Sequence, residues 1–101
     1  MLIKTLDAHI VRDPDVAGGK PRIAGHRITV ENIVVWHERM GLSADEIAAE
    51  YDLGLADIYA ALAYYFDNRS EIDDSIADAE RLVEEMKMTF PSRLTRFRRH
   101  G

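Results

Sequence analysis

The sequence predicts a mainly α fold: a helix-turn-helix preceded by a short N-terminal β-hairpin and followed by a C-terminal helix with a basic tail. Three observations predict it. Apolar residues change at Thr29 from short extended runs to the three-and-four spacing of a helix. Ser43-Ala44-Asp45-Glu46 is a capping box, the strongest helix-start signal in the chain. Beyond Phe66, no Gly or Pro interrupts the sequence until Pro91.

The elements follow in order. Ile10 and Val11 form a brief extended run that ends at Asp13-Pro14, a turn-initiating pair. Gly18-Gly19 and Pro21 turn the chain, and a second extended piece begins at Ile23, broken by Gly25 before Ile28 and Val30. Ile33, Trp36, His37 and Met40 then recur at helical spacing behind Thr29 as N-cap, with Gly41 as the stop. Ser43 caps the next helix, Leu42 and Ile47 stand at the positions of a hydrophobic staple, and the helix runs to about Tyr51. A third helix after Gly54 is expected to bury Leu55, Ile58, Leu62 and Tyr65 or Phe66. Asn68 favours a break there over a continuous helix.

Ile72, Ile76, Ala79, Val83, Met86 and Phe90 follow at spacings of four and three, a seam of about two and a half heptads. Such a seam either packs on the domain's own helices or faces a second chain; Ile72, Ile76, Val83 and Met86 are its candidate interface residues. The domain is placed at 1–88, with a β-ribbon over 1–30 and helices over 30–88, and the basic tail at 89–101.

With 101 residues and 47% hydrophobic content, the chain fits one small core. The lack of Cys excludes a disulfide scaffold, a thiolate zinc site and a thiol nucleophile. No apolar run approaches the ~18 residues of a membrane span, and Lys4 and Asp7 interrupt any signal-peptide pattern. A cytoplasmic protein without membrane contact is expected.

The net charge of −5 hides a segregation by segment. Residues 31–86 hold three basic side chains against fifteen acidic, whereas 87–101 hold five basic and none acidic. Charge blocks of opposite sign suit different partners, although solubility and a loose basic end also account for them. Between Met40 and Asn68 there is no Lys or Arg, so the second helix of the motif lacks the side chains that meet phosphates and base edges. DNA contact would fall to Lys20, Arg22 and Arg27 on the ribbon; the alternative is that these are ordinary surface charges, or that Arg27 is a buried tie to the acidic helices. Catalysis has little support. The four histidines are scattered, and pairs such as Glu46/Glu50 and Asp74/Asp78 arise routinely on a solvated acidic face. No cofactor and no metal site is expected.

The stretch Gly18-Gly19-Lys20-Pro21-Arg22-Ile23-Ala24-Gly25-His26-Arg27-Ile28-Thr29-Val30 resembles the signature of the DUF433 family, with His26 where Thr is more usual. The resemblance continues through Gly41-Leu42-Ser43 and Glu46-Ile47 to Asp57 and Ala60-Ala61-Leu62, covering about residues 9 to 70. It implies a homeodomain-like helical fold and an antitoxin of a bacterial toxin–antitoxin pair, acting on a PIN-like ribonuclease of the DUF5615 type. It implies no catalytic residue. On that reading a homodimer or hetero-oligomer forms, operator DNA is a further partner, and the tail carries the toxin-binding residues Arg93, Leu94, Arg96, Phe97 and Arg98. The alternatives are a stand-alone DNA-binding regulator and an oligomeric adaptor with no nucleic-acid role.

Overall fold

Asp13-Pro14 and the glycine pair bring two very short strands together: β1 (Ile10–Val11) runs antiparallel to β2 (Arg22–Ile23), with Ile10 opposite Ile23 and Val11 opposite Arg22. The computed structural model describes residues 6–89. The ribbon is shorter than the sequence predicts. One helical turn, α1 (Leu6–His9), precedes it, and Ala17–Gly19 form a 3-10 turn in which all three φ angles are positive. Thr29 makes a single bridge to Arg22. Val30 is helical, because the Thr29 hydroxyl accepts from the Asn32 amide at 3.1 Å and the Asn32 side chain accepts from Thr29 N–H at 3.1 Å. That reciprocal cap ends the extended run.

α2 (Val30–Val34) passes directly into a π-helical turn over Val35–Arg39. Its wider hydrogen bonds, such as Met40 N–H to Val35 C=O at 3.0 Å, upset the 3.6-residue period. Ile33 is fully buried, Trp36 and His37 are half-buried, and Met40 is turned outward at 62% exposure. The turn also lays the Trp36 ring flat on Tyr51, centroids 3.9 Å apart and planes 4° from parallel. Gly41, at φ 75°, lets Leu42 N–H reach back to Trp36 C=O at 3.0 Å and closes the element.

α3 (Ala44–Tyr51) begins with the expected capping box: Ser43 Oγ accepts from Glu46 N–H, and Glu46 Oε1 from Ser43 N–H, both at 3.1 Å. Asp52 leaves the helix in the left-handed region, at φ 53°. α4 (Leu55–Asp67) buries Ile58, Ala60, Ala61, Leu62 and Tyr65. Leu55 and Phe66 are 42% and 55% exposed, contrary to the sequence expectation. Phe66 follows Tyr65 by about 100° around the helix and so leaves the buried face; its ring lies near the Arg69 guanidinium instead.

Asn68 breaks the chain (φ −135°, ψ 41°) and binds back to Tyr64 C=O through its side chain at 3.0 Å. α5 (Arg69–Thr89) follows, giving the core Ile72 and Ile76. From Ala77 to Thr89 every residue is exposed. Each of β2, α2, α3, α4 and α5 thus supplies one fully buried isoleucine: Ile23, Ile33, Ile47, Ile58 and Ile72.

The α4–α5 corner is tied by the Tyr65 hydroxyl, which donates to Asp73 Oδ1 at 2.9 Å. The Asp73 hydrogen bond, and then burial, hold the Tyr65 pKa above its usual 10.0, against the opposing pull of Arg69. A raised folded-state value means that the stability this hydroxyl confers is complete below about pH 10 and is lost as pH rises through the folded value. Tyr65→Phe is expected to cost about 1 kcal/mol at neutral pH, with the gap to the natural protein narrowing above about pH 10. Urea unfolding of both proteins at about pH 7 and about pH 11 measures it; a gap that stays constant or widens contradicts the account.

Candidate functional site

The segment that carries the sequence signature folds into a closed loop. Pro21 is buried, and its carbonyl accepts from Val30 N–H at 2.9 Å. Ile23 N–H donates to Ile28 C=O at 2.9 Å, and His26 N–H to Ile23 C=O at 3.0 Å. Gly25 sits at φ 80° with open space where a Cβ would be, so its role is the backbone angle and not close packing. Arg22 Nη1 donates to the His26 carbonyl at 3.0 Å, bracing the loop from inside.

The three cations expected at a DNA surface have different settings. Arg22 is half-buried and engaged on that loop. Lys20 lies 3.3 Å from Glu31, whose mostly buried carboxylate also accepts from Ser75 Oγ; the chain ribbon–α2–α5 is joined through it. A cleft of about 180 Å³ opens beside this contact, between the Gly18–Pro21 turn and the start of α5. Arg27 is exposed and, among the described residues, makes no ion pair. Arg27 is therefore not a buried tie to the acidic helices; Arg22 braces its own loop, and Lys20 makes the contact to Glu31 of α2.

A contact that sequence reasoning missed joins the ribbon to the helices. His9 Nδ1 stands 2.7 Å from Asp57 Oδ1, with both side chains largely buried. The other Asp57 oxygen accepts from Gly54 N–H at 3.3 Å and caps α4. The spacing Gly54-x-x-Asp57 signals the cap, but nothing in the sequence pairs Asp57 with a histidine 48 positions earlier. His9 also accepts from Ala24 N–H through its carbonyl, at 2.8 Å.

The heptad seam divides. Ile72 and Ile76 are 2% and 3% exposed, held in the chain's own core and closed to a partner, because α2 and α4 pack on this half of α5. Val83 and Met86 are 49% and 53% exposed, since they lie about two and three turns beyond Ile76, the last core residue of α5. Where the halves meet, a groove of about 270 Å³ runs between α5 and the α2–π segment, floored by Val35, Ile76, Ala79 and Val83 and rimmed by Glu31, Glu80 and Glu84. Phe90 and the tail residues Arg93, Leu94, Arg96, Phe97 and Arg98 lie outside the described residues. Among the described residues no cluster of three or more His, Asp or Glu is placed to hold a metal ion, and no helix is long and apolar enough to cross a membrane.

A family model described as "Protein of unknown function (DUF433)" matches residues 10–65, from β1 almost to the end of α4. Among solved structures, the crystal structure of a DUF433 member protein from Anabaena variabilis is similar, at 37% sequence identity over 68% of each chain and a TM-score of 0.64. Among curated proteins, none matches this chain. The family match ends at Tyr65, so the exposed half of α5 lies beyond it.

Asp57 makes two contacts and His9 shares only one of them. Asp57→Ala is expected to destabilise by about 2 kcal/mol, more than His9→Ala at about 1 kcal/mol, with a double variant that falls short of the sum. Chemical denaturation of the three variants tests this; strictly additive losses would show that the pair does not interact.

Proposed function

This chain belongs to the DUF433 family, and we propose that it works by binding: as a non-enzymatic antitoxin that captures and neutralises a PIN-like ribonuclease of the DUF5615 type in the cytoplasm. The observation that carries the reading is the separation of charge. Residues 6–89 hold eighteen acidic side chains against eight Lys and Arg, while residues 90–101 hold four Arg and no acid. PIN-like ribonucleases gather carboxylates around a metal site, and an arginine offers such carboxylates paired hydrogen bonds that an acidic body cannot. Arg93, Arg96 and Arg98 supply the cations, and Leu94 and Phe97 the apolar anchors.

α3, the Asp52–Gly54 turn and α4 correspond to a homeodomain-like helix-turn-helix used as a packing scaffold. Asp45, Glu46, Glu50, Asp52, Asp57 and Asp67 lie on it, without one Lys or Arg. Such a surface repels phosphates, and Asp57 is already committed to His9 and Gly54. Operon autorepression by a dimeric form would therefore run through the N-terminal ribbon. There Arg27 is exposed and makes no ion pair among the described residues, while Lys20, also exposed, and the half-buried Arg22 already hold Glu31 and the His26 carbonyl.

The test is inhibition of a PIN-like ribonuclease of the DUF5615 type, measured with the full protein and with a variant lacking residues 91–101. Removing the segment is expected to weaken inhibition at least roughly tenfold, a change of ~1.4 kcal/mol. Equal inhibition by the two proteins overturns the assignment of the toxin contact to this segment, and no inhibition by either overturns the antitoxin reading.

A further inference from the structure

α4 turns the wrong kind of face to water. A helix on a protein's surface ordinarily presents polar side chains outward. The exposed residues of α4 are Leu55, Ala56, Tyr59, Phe66 and Asp67, and only the last is charged. Leu55, Tyr59 and Phe66 are 42%, 58% and 55% exposed. With Ala56 and the half-buried Ala63, they fall within about 100° of the helix circumference. Large apolar side chains gathered on one side of a helix mark a contact surface.

We propose that this face receives a second copy of the same chain, with the two α4 helices antiparallel and centred level with Ala61. The face complements itself in that register and so suits a two-fold pair. Ala56, Tyr59, Ala63 and Phe66 follow one another at spacings of three, four and three, and alternate small with large. Antiparallel pairing about residue 61 sets each Ala56 against the other copy's Phe66, and each Tyr59 against the other copy's Ala63. Bulk then fills the hollow opposite it at both ends of the contact. A parallel pair would set Tyr59 against Tyr59 and Ala63 against Ala63, with crowding at one level and a void at the next.

Charge selects the same occupant and the same orientation. Asp67 closes α4 at the negative end of the helix dipole, and no basic residue stands in that turn. In the antiparallel pair it comes level with Leu55, where the other copy's α4 begins and the dipole is positive. Arg69 lies beside Phe66, its guanidinium 5.9 Å from the ring centre, and is itself exposed. It comes level with the turn that carries the other copy's exposed Asp52. Parallel helices would bring Asp52 to Asp52 and Arg69 to Arg69. The pairing does not rest on the ribonuclease reading, and either can fail alone.

The experiment is light scattering on the full chain, then on Ala56→Glu and Tyr59→Glu. Both side chains are exposed in the single chain, so the fold tolerates the change; unaltered helical circular dichroism checks this. The natural protein is expected at twice the 11.5 kDa chain mass, and both variants at half that value. A monomeric natural protein, or folded variants that keep the doubled mass, overturns the proposal. Orientation is read from a spin label on Ser70→Cys, an exposed position just past α4 in a chain with no cysteine of its own. Antiparallel pairing puts the two labels at opposite ends of the paired helices, roughly 20 Å apart along the axis. Labels level with each other mean a parallel pair and overturn it.

Discussion

Five isoleucines, one from each of β2, α2, α3, α4 and α5, meet in a single small core, and the placement of the other elements depends on that meeting. A chain of this size can bury only one such cluster, so each element contributes a short apolar face and gives its remaining surface to solvent. The body is complete once Ile72 and Ile76 are seated. α5 continues for three and a half further turns that bury no side chain, touching the body only through the groove beside Val35 and the Arg39–Glu80 pair. Its exposed side chains follow from that limit on core size.

The ribbon cannot hold itself together with two residues per strand. It is fastened to the helices by polar groups: Thr29 heading α2, Glu31 between Lys20 and Ser75, Asp57 between His9 and the first turn of α4, and Arg12 on Tyr64 and Glu71. Polar groups that are withdrawn from water need such partners. Glu31 occupies Lys20 and the His26 carbonyl occupies Arg22, two of the three cations that would otherwise face nucleic acid. In this segment, fastening the fold and binding a polyanion draw on the same side chains.

Local signals were legible wherever a few neighbouring residues determine the outcome. The Ser43 capping box, the Gly41 stop, the helix end at Tyr51 and the break at Asn68 all follow from side chains within four positions of the backbone groups they satisfy. The misplaced residues depend on distant context. A period of 3.6 places Met40 inward, but the segment before it winds more widely and turns it out. Leu55 and Phe66 have the right composition for burial but the wrong azimuth or too little cover. The His9–Asp57 pair spans 48 positions and has no local trace. The heptad seam is continuous in sequence but divided in space, because its spacing says nothing about where the rest of the body stops.

The widened turn at Val35–Arg39 has an optical consequence. Trp36 is the sole tryptophan of the chain, and the π turn lays it flat against Tyr51, the last residue of α3. Two aromatic rings stacked at 3.9 Å couple their electronic transitions. The tryptophan emission of this protein, and the tryptophan bands of its near-ultraviolet dichroism, therefore report on one corner of it, where α2 meets α3. A partner settling on the far end of α5 leaves that signal quiet, whereas loosening of the α2–α3 corner changes it before the helical content falls.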